Sequence, residues 1–210
     1  CASTIGGLVR NLSPGELLDQ VLFASKDSGL RIDSLVLMGI GEPLDNYDNV
    51  VRFFRLLNHE QGVHLGLRHV SISTYGIDRL AKEGLPVTLS ISLHAPNNSL
   101  RSAMMPINRR YPIEQLLAAA RRYGAATGRK IYIEYTMISG KNDSPAHARE
   151  LAGLLDGMLC HVNLIPLNPV AGKKVFHAKN TPIFSTTPTT APEGMCRLMF
   201  SRQHLSGSLE

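Results

Sequence analysis

The sequence contains little cysteine, little charge and no long apolar run, and each shortage argues against a class of protein. Its 210 residues include three cysteines, Cys1, Cys160 and Cys196. So sparse and odd a number argues against a disulfide scaffold and for a reducing cytosol. No apolar run approaches the roughly 18 residues of a transmembrane helix, and no secretory signal opens the chain. We therefore expect a cytoplasmic protein without a membrane partner.

The composition predicts a folded protein with a slight excess of positive charge. Charged residues make up 19% of the chain, below the usual share of about a quarter. The hydrophobic fraction of 43% can build a sizeable core, so we do not expect disorder over most of the length. Lysine and arginine exceed aspartate and glutamate by 22 to 17, a net charge of +5. This excess suits an RNA or DNA partner, but many ordinary enzymes are equally basic.

Hydrophobic periodicity predicts strands that alternate with helices through the middle of the chain. The strands are predicted over residues 34–38, 69–74, 87–93, 131–137 and 161–166. Helices are predicted from Ser13, which opens a capping box with Glu16, and over residues 47–59, 78–83, 113–127 and 144–155. This alternation indicates βαβ units, a parallel sheet and right-handed crossovers.

Parallel sheets bind ligands at the carboxyl ends of their strands, and polar residues gather at those ends here. The first predicted strand runs into Gly39-Ile40-Gly41-Glu42. Glycine-rich turns after a strand often bind phosphate through backbone N–H groups, whereas the Glu42 carboxylate would repel an anion. From the residues alone, a solvated loop carboxylate is the simpler interpretation of Glu42.

The pattern changes after Gly172, where proline and threonine are scattered without a sustained period. Such composition is typical of loop or disorder. We therefore predict one domain over residues 1–175 and an irregular tail over residues 176–210.

Six segments of the sequence are distinctive: CASTIGGLVRNL, MGIGEPLDNYDNV, STYGI, SISLHAPNNSLRSAMMPINRRYPI, EYTMISGKNDS and VNLIPLNPV. In this order they resemble the radical S-adenosylmethionine (SAM) RNA methyltransferases that methylate adenine carbons, the RlmN/Cfr family. The similarity runs from Cys1 to about Gly172, and six segments in the family's order make it specific.

The resemblance implies an α/β fold, a partial (β/α)6 barrel with a parallel sheet and outer helices. The barrel would lack its first strand, so the five predicted strands would be strands two to six. The family holds a [4Fe-4S] cluster on a CxxxCxxC loop, and Cys1 matches the third of those cysteines. Because the chain opens on Cys1 and not on methionine, we expect that an upstream part with the other two cysteines has been lost. We also expect this piece by itself to be inactive.

The resemblance further implies which residues bind SAM. Glu42 would accept hydrogen bonds from the SAM ammonium group, and Gly41 would let the backbone approach closely. The implied set is Gly41, Glu42, Ser73, Ser92, Leu93, His94 and Asn168. For Ser73 and Ser92 the alternative is ordinary strand-end capping, and for His94 it is a buried imidazole satisfied by backbone.

The implied activity is methylation of C2, or else C8, of an adenine in 23S rRNA and in tRNA. An electron donor such as flavodoxin would supply the reducing electrons, and the protein would be a monomer. Arg109 and Arg110 would contact RNA phosphates, although solvated surface charge explains them nearly as well. Tyr75 and Tyr111 would stack on a base, although loop aromatics are more often simple packing.

The family carries a methyl-bearing cysteine near its C-terminus, and this sequence has no cysteine in the matching context. Cys196 is a weak candidate for that carrier, and an incidental thiol is the simpler interpretation. Two other functions therefore stay open: a non-catalytic RNA-binding barrel derived from the family, and a radical SAM enzyme with another substrate.

Overall fold

The computed structural model describes residues 7–38, 41–166 and 197–200, and these residues form an α/β fold. The strands are β1 (Leu35–Leu37), β2 (Val70–Ser73), β3 (Thr88–Ser92), β4 (Ile131–Met137), β5 (Cys160–Pro166) and β6 (Arg197–Phe200). The helices are α1 (Pro14–Ser28), α2 (Tyr47–Leu57), α3 (Ile77–Ala81), α4 (Asn98–Met104), α5 (Ile113–Thr127) and α6 (Pro145–Leu154). The predicted α/β class is thereby confirmed.

The chain divides into two compact units. The first comprises Cys1–Ser92 and Ile107–Ile131, and the second comprises Leu93–Pro106 and Tyr132–Glu210. The boundary predicted near residue 175 lies outside the described residues, so the division into domains 1–175 and 176–210 stays a prediction.

In the first unit, β1, β2 and β3 are parallel neighbours. Leu35 pairs with Val70 in register, and Ser73 pairs with Ser90. Parallel pairing places the carboxyl ends of these strands at the same edge of the sheet. The loops after β1 and β2 therefore start side by side.

The helices of the first unit begin where their sequence signals predict. The Ser13 hydroxyl accepts from the Glu16 backbone N–H at 3.3 Å, and the Glu16 carboxylate accepts from the Ser13 N–H at 2.8 Å. This is the predicted capping box of α1. Helix α2, predicted over residues 47–59, buries Val50, Val51 and Phe54 on one face. In α1 only Val21 is buried, and the neighbouring Leu22 is exposed.

In the second unit, β4, β5 and β6 are neighbours in the sheet order. The pair β5 and β6 is parallel, with His161 opposite Arg197 and Leu164 opposite Phe200. Strand β4 alternates between buried and more exposed residues, so one of its faces belongs to the core and the other carries polar side chains.

Two elements differ from the sequence-based expectation. Helix α4 was not predicted because its seven residues are too few to show a helical period; its only clear signal is Asn97, whose side chain accepts from the Leu100 N–H. Strand β6 lies inside the tail that was expected to be irregular. Its four residues gain their strand structure from pairing with the distant β5, and a local pattern cannot show such pairing.

Among the helices of the described residues, none combines the length and the apolar character that crossing a membrane requires.

Candidate functional site

Glu42 lies directly beyond β1 and joins the loops that follow β1 and β2. It is the N-cap of a short 3-10 helix, Pro43–Asn46. Its Oε1 accepts from the Leu44 backbone N–H at 2.9 Å and from the Thr74 hydroxyl. Its Oε2 accepts from the Tyr75 backbone N–H at 3.4 Å. Two neighbouring strand ends thus hold the carboxylate in one place.

The Glu42 carboxylate is half-buried and carries no counter-charge from the described chain. Burial raises its pKa above the ordinary value; the hydrogen bonds from Thr74, Leu44 and Tyr75 oppose that rise, and the nearby Asp45 adds to it. Within the described ranges, no lysine, arginine or histidine forms an ion pair with it. A carboxylate oxygen has two lone pairs, and from the described residues Oε2 accepts one long hydrogen bond, from the Tyr75 N–H. The geometry therefore suits a cationic ligand that donates hydrogen bonds.

Gly41, next to Glu42, has a φ of 79°, a conformation that side chains rarely adopt. A Cβ at this position would meet no described atom within 4 Å. The conformation of the backbone, and not crowding, is what requires glycine here.

Thr74 gives Glu42 a side-chain hydrogen bond, beside the backbone donors of Leu44 and Tyr75. It is 6% exposed, donates to the carboxylate and accepts from the Gly76 N–H at 2.9 Å. We expect Thr74→Val to lower the free energy of unfolding by about 1–2 kcal/mol at pH 7, because a half-buried charge loses a donor. Urea unfolding at several pH values measures this.

The pH dependence separates the loss of that donor from a packing defect. The folded-state pKa of Glu42 is raised, so the folded protein binds the carboxyl proton more tightly than the unfolded chain does. Below that pKa the side chain is neutral and needs the Thr74 donor less, so the Thr74→Val penalty should shrink. Thr74→Ser keeps the hydroxyl and should cost less at pH 7; equal losses in both variants would contradict the assignment.

Ser73 and Ser92 end β2 and β3, and the structure brings them together. Their hydroxyl oxygens lie 3.3 Å apart, and either could be the donor. Both side chains are partly exposed. The two strand-end hydroxyls therefore contact each other within the first unit, and their contact with SAM stays a prediction.

In the second unit, His94 has an unusual backbone conformation with a φ of 57°. Its Nδ1 accepts from the Thr136 backbone N–H at 3.0 Å, which assigns the proton of the neutral ring to Nε2. Burial and then the charge of Arg101 lower its pKa to about 4. At neutral pH His94 is therefore an uncharged imidazole with a donor at Nε2. The backbone hydrogen bond at Nδ1 agrees with the alternative interpretation given above, a histidine satisfied by the backbone.

Leu93 is fully buried, and its backbone is already bonded. Its N–H donates to the Glu134 carbonyl at 3.0 Å, and its carbonyl accepts from Arg101 Nε at 3.1 Å. Arg101 itself is 3% exposed, so this arginine supports the backbone and is not a surface contact for RNA.

The sequence places Asn142 in the polar turn after the fourth predicted strand but does not show its role, which is to hold the backbone around His94. Asn142 is fully buried. Its amide donates to the carbonyls of His94 at 2.8 Å and Thr136 at 2.7 Å, and its Oδ1 accepts from the Ile138 N–H at 2.6 Å. The only local signal was an asparagine in a glycine-containing turn, which is too common to be informative.

Arg109 and Arg110 are both exposed in the first unit. Asn168, Cys1 and Cys196 lie outside the described residues.

The part of the chain that the structure describes holds no cluster of three histidine, cysteine or acidic side chains suited to a metal ion. Its single cysteine, Cys160, is buried. The described residues therefore do not fit a [4Fe-4S] cluster, and any ligands for one would have to lie beyond them.

A surface pocket lies elsewhere, along the outer side of α2. It is lined by residues that include Tyr47, Arg52, Arg55 and Glu83, none of which is a predicted site residue. The ends of β1 to β3 remain the better candidate because they combine a half-buried charge with convergent donors.

Comparison with known sequences gives a consistent result. The profile of the radical SAM superfamily matches residues 1–152. A protein of Desulforamulus reducens is 53% identical over 178 residues, which are 83% of this chain and 51% of that protein. A protein of Symbiobacterium thermophilum is 54% identical over 177 residues, 81% and 48% of the two chains. Both are named "Probable dual-specificity RNA methyltransferase RlmN". The chain spans about half the length of these curated relatives.

Solved structures agree in fold. A radical SAM methyltransferase from Sphaerobacter thermophilus superposes with a TM-score of 0.83 at 43% identity, over 97% of this chain and 62% of that one. SuiB of Streptococcus suis bound to S-adenosylmethionine gives a TM-score of 0.63 at 18% identity, over 94% and 46% of the two chains. At that identity the second likeness concerns the fold alone.

Proposed function

This chain belongs to the radical SAM superfamily, and from that membership we propose that it binds SAM and serves the methylation of adenine C2 in 23S rRNA and in tRNA. The observation that carries the proposal is the half-buried Glu42, which has acceptor capacity and no described cation beside it. SAM supplies the methyl group when bound. The role of this chain is to hold SAM by its amino-acid end.

Glu42 would accept hydrogen bonds from the SAM ammonium group. A charge-assisted hydrogen bond of this kind contributes roughly 1.5–3 kcal/mol. Opposite charge also favours the ionised carboxylate, so a bound ammonium group would offset the burial that raises the pKa of Glu42. The Ser73 and Ser92 hydroxyls, at the ends of the neighbouring strands, would provide uncharged polar contacts to the same ligand.

Several parts of the proposal rest on family resemblance. They include SAM contacts from Leu93, His94 and Asn168, and a [4Fe-4S] cluster with Cys1 as one ligand. They also include flavodoxin as electron donor, a monomeric state and a cytoplasmic location. For the RNA partner the support is stronger, because the matched relatives are named RNA methyltransferases and because Arg109 and Arg110 are exposed.

The test is the nucleoside content of RNA from cells that express the gene. A bacterial strain lacking 2-methyladenosine should gain this nucleoside in 23S rRNA and tRNA digests, as measured by mass spectrometry, when the complete gene is expressed; the 210-residue piece expressed by itself should add none. Cells that express the Glu42→Gln variant at an equal level should gain far less. Gain of 8-methyladenosine would move the target carbon to C8. Unmodified RNA although the complete gene yields a folded product would contradict the proposed activity and favour an RNA-binding barrel.

A further inference from the structure

Two tyrosines from different loops form a stacked pair beside Glu42. Tyr75 follows β2, and Tyr111 lies between the 3-10 helix Pro106–Arg109 and α5. Their ring centroids are 4.3 Å apart with an angle of 23° between the planes. Both side chains are partly exposed, so the pair is accessible from solvent.

The pair is joined to the proposed SAM site on one side. The Tyr75 N–H donates to the Glu42 carboxylate at 3.4 Å, and the Tyr75 hydroxyl donates to Asp45 at 3.3 Å. Tyr75 is thus the acidic end of the stack. Burial, and then the charge of Glu42, raises the pKa of Tyr75 to about 12, so its ring stays uncharged at physiological pH.

The other end of the stack is basic. The Arg110 guanidinium lies 5.3 Å from the centroid of the Tyr111 ring, and Arg109 precedes it in the exposed turn. Within the described ranges neither arginine forms an ion pair. The backbone N–H groups of Arg110 and Tyr111 both donate to the Ile107 carbonyl at 3.0 Å, which holds the turn in shape.

We propose that Tyr111, Tyr75 and Arg110 form a stacking platform for an unpaired RNA base that lies next to the target adenine. This inference rests on the proposed function and names the surface that the RNA would use. Flat aromatic rings bind single-stranded RNA by stacking on its bases, and an adjacent guanidinium can hold the phosphate of the same nucleotide. The Glu42 carboxylate lies at the Tyr75 end of the pair and would face the cationic SAM. Arg110 lies at the Tyr111 end and would face the negatively charged RNA.

Simple packing would also bring two loop aromatics together, but it makes different predictions. A packing pair needs no unpaired arginines at its exposed end, and its removal would affect stability and not the recognition of a base. The decisive measurement therefore compares RNAs with and without a base at single positions.

The experiment measures binding of a single-stranded RNA by fluorescence anisotropy at fixed salt, with SAM present. Tyr111→Ala should weaken binding about tenfold, within the range measured for one base on one aromatic ring. Tyr111→Phe keeps the ring and should bind within about twofold of the original. Tyr132→Ala removes an exposed tyrosine of the second unit and serves as the matched control, without an expected change.

An abasic scan of the RNA then identifies the stacked nucleotide. At one position, removal of the base should weaken the original protein about as much as Tyr111→Ala does, and the two losses should not add. Arg110→Gln should lower the slope of log affinity against log salt by about 0.7, the value for one phosphate of a single strand. Arg52→Gln changes an exposed arginine of α2 and is the control. It should change the slope of log affinity against log salt by less than Arg110→Gln does.

The outcomes separate the platform from the function on which it rests. The platform would be overturned if Tyr111→Ala bound RNA as tightly as the original protein. It would also be overturned if Tyr111→Ala lost the same affinity for every abasic RNA. Either result would leave the proposed activity standing. Absence of RNA binding by the original protein, together with unmodified RNA in cells, would overturn both. Tyr111→Ala could also lower the melting temperature. The abasic RNAs are measured on the original protein, and Tyr111→Phe keeps the aromatic ring, so these two measurements do not depend on the stability of Tyr111→Ala.

Discussion

Glu42→Gln is expected to weaken SAM binding by about 10- to 100-fold, since a neutral amide would replace the charge-assisted acceptor of the SAM ammonium group. The free energy of unfolding should change by less than about 1 kcal/mol, because the glutamine oxygen can still accept from Thr74 and Leu44 and only the long hydrogen bond from the Tyr75 N–H loses its acceptor. Calorimetric titration with SAM measures the first quantity and urea unfolding the second. Loss of affinity without loss of stability is the specific signature.

Asp45→Asn is the matched control for this prediction. Asp45 is an exposed carboxylate three residues from Glu42, and it accepts from the Tyr75 hydroxyl at 3.3 Å. Its neutralisation removes a nearby charge but not the proposed ligand contact, so we expect a much smaller change in affinity. Unchanged SAM affinity in Glu42→Gln, or equal losses in the two variants, would remove Glu42 from the site.

The pH dependence of SAM binding provides a second measure of Glu42. In the proposed site only the ionised carboxylate would bind the SAM ammonium group, and burial raises the pKa of Glu42. Affinity should therefore fall as pH decreases, and the fall should begin at a higher pH than for an ordinary glutamate. In Glu42→Gln this part of the pH dependence should be absent.

Asn142→Ala is expected to have the largest effect on stability, a loss of about 3 kcal/mol in the free energy of unfolding. The variant leaves the His94 and Thr136 carbonyls without the amide donor and the Ile138 N–H without its acceptor, and each buried unsatisfied group costs roughly 1–3 kcal/mol. Asn142→Asp should be at least as harmful, because a carboxylate oxygen would face two carbonyls. Asn58→Ala, at an exposed helix end, is the control and should cost little.

His94 gives this prediction a second measurement. Its pKa of about 4 lies below the ordinary value of 6.5. Between those two values the unfolded chain takes up a proton that the folded protein does not, so the folded state loses stability as pH falls through that window. In Asn142→Ala the loop around His94 should loosen, and NMR titration should show the pKa moving towards 6.5. A pKa that stays near 4 would mean that Asn142 does not hold His94 in its partly buried position.

Much of the fold followed from local patterns. The helix over residues 113–127 and the strand over residues 131–137 were predicted with the bounds that the structure gives, because both are long and strongly periodic. The Ser13–Glu16 capping box was also predictable, since all its atoms belong to one turn of chain. Shorter elements such as α4 and β6 were missed, because a few residues do not establish a period.

The sequence by itself determined the fold class, the family and the candidates at the strand ends, since strand and helix periods and motif order are written in consecutive residues. Only the tertiary structure decided what those candidates contact. Thr74 and Tyr75 reach Glu42 from the next strand, and Tyr111 stacks on Tyr75 from a loop 36 residues further along the chain. Asn142 holds His94 across 48 residues. These are hydrogen bonds and ring contacts between distant segments, and they form only when parallel strands bring their carboxyl ends to one edge or when a turn folds back into the core.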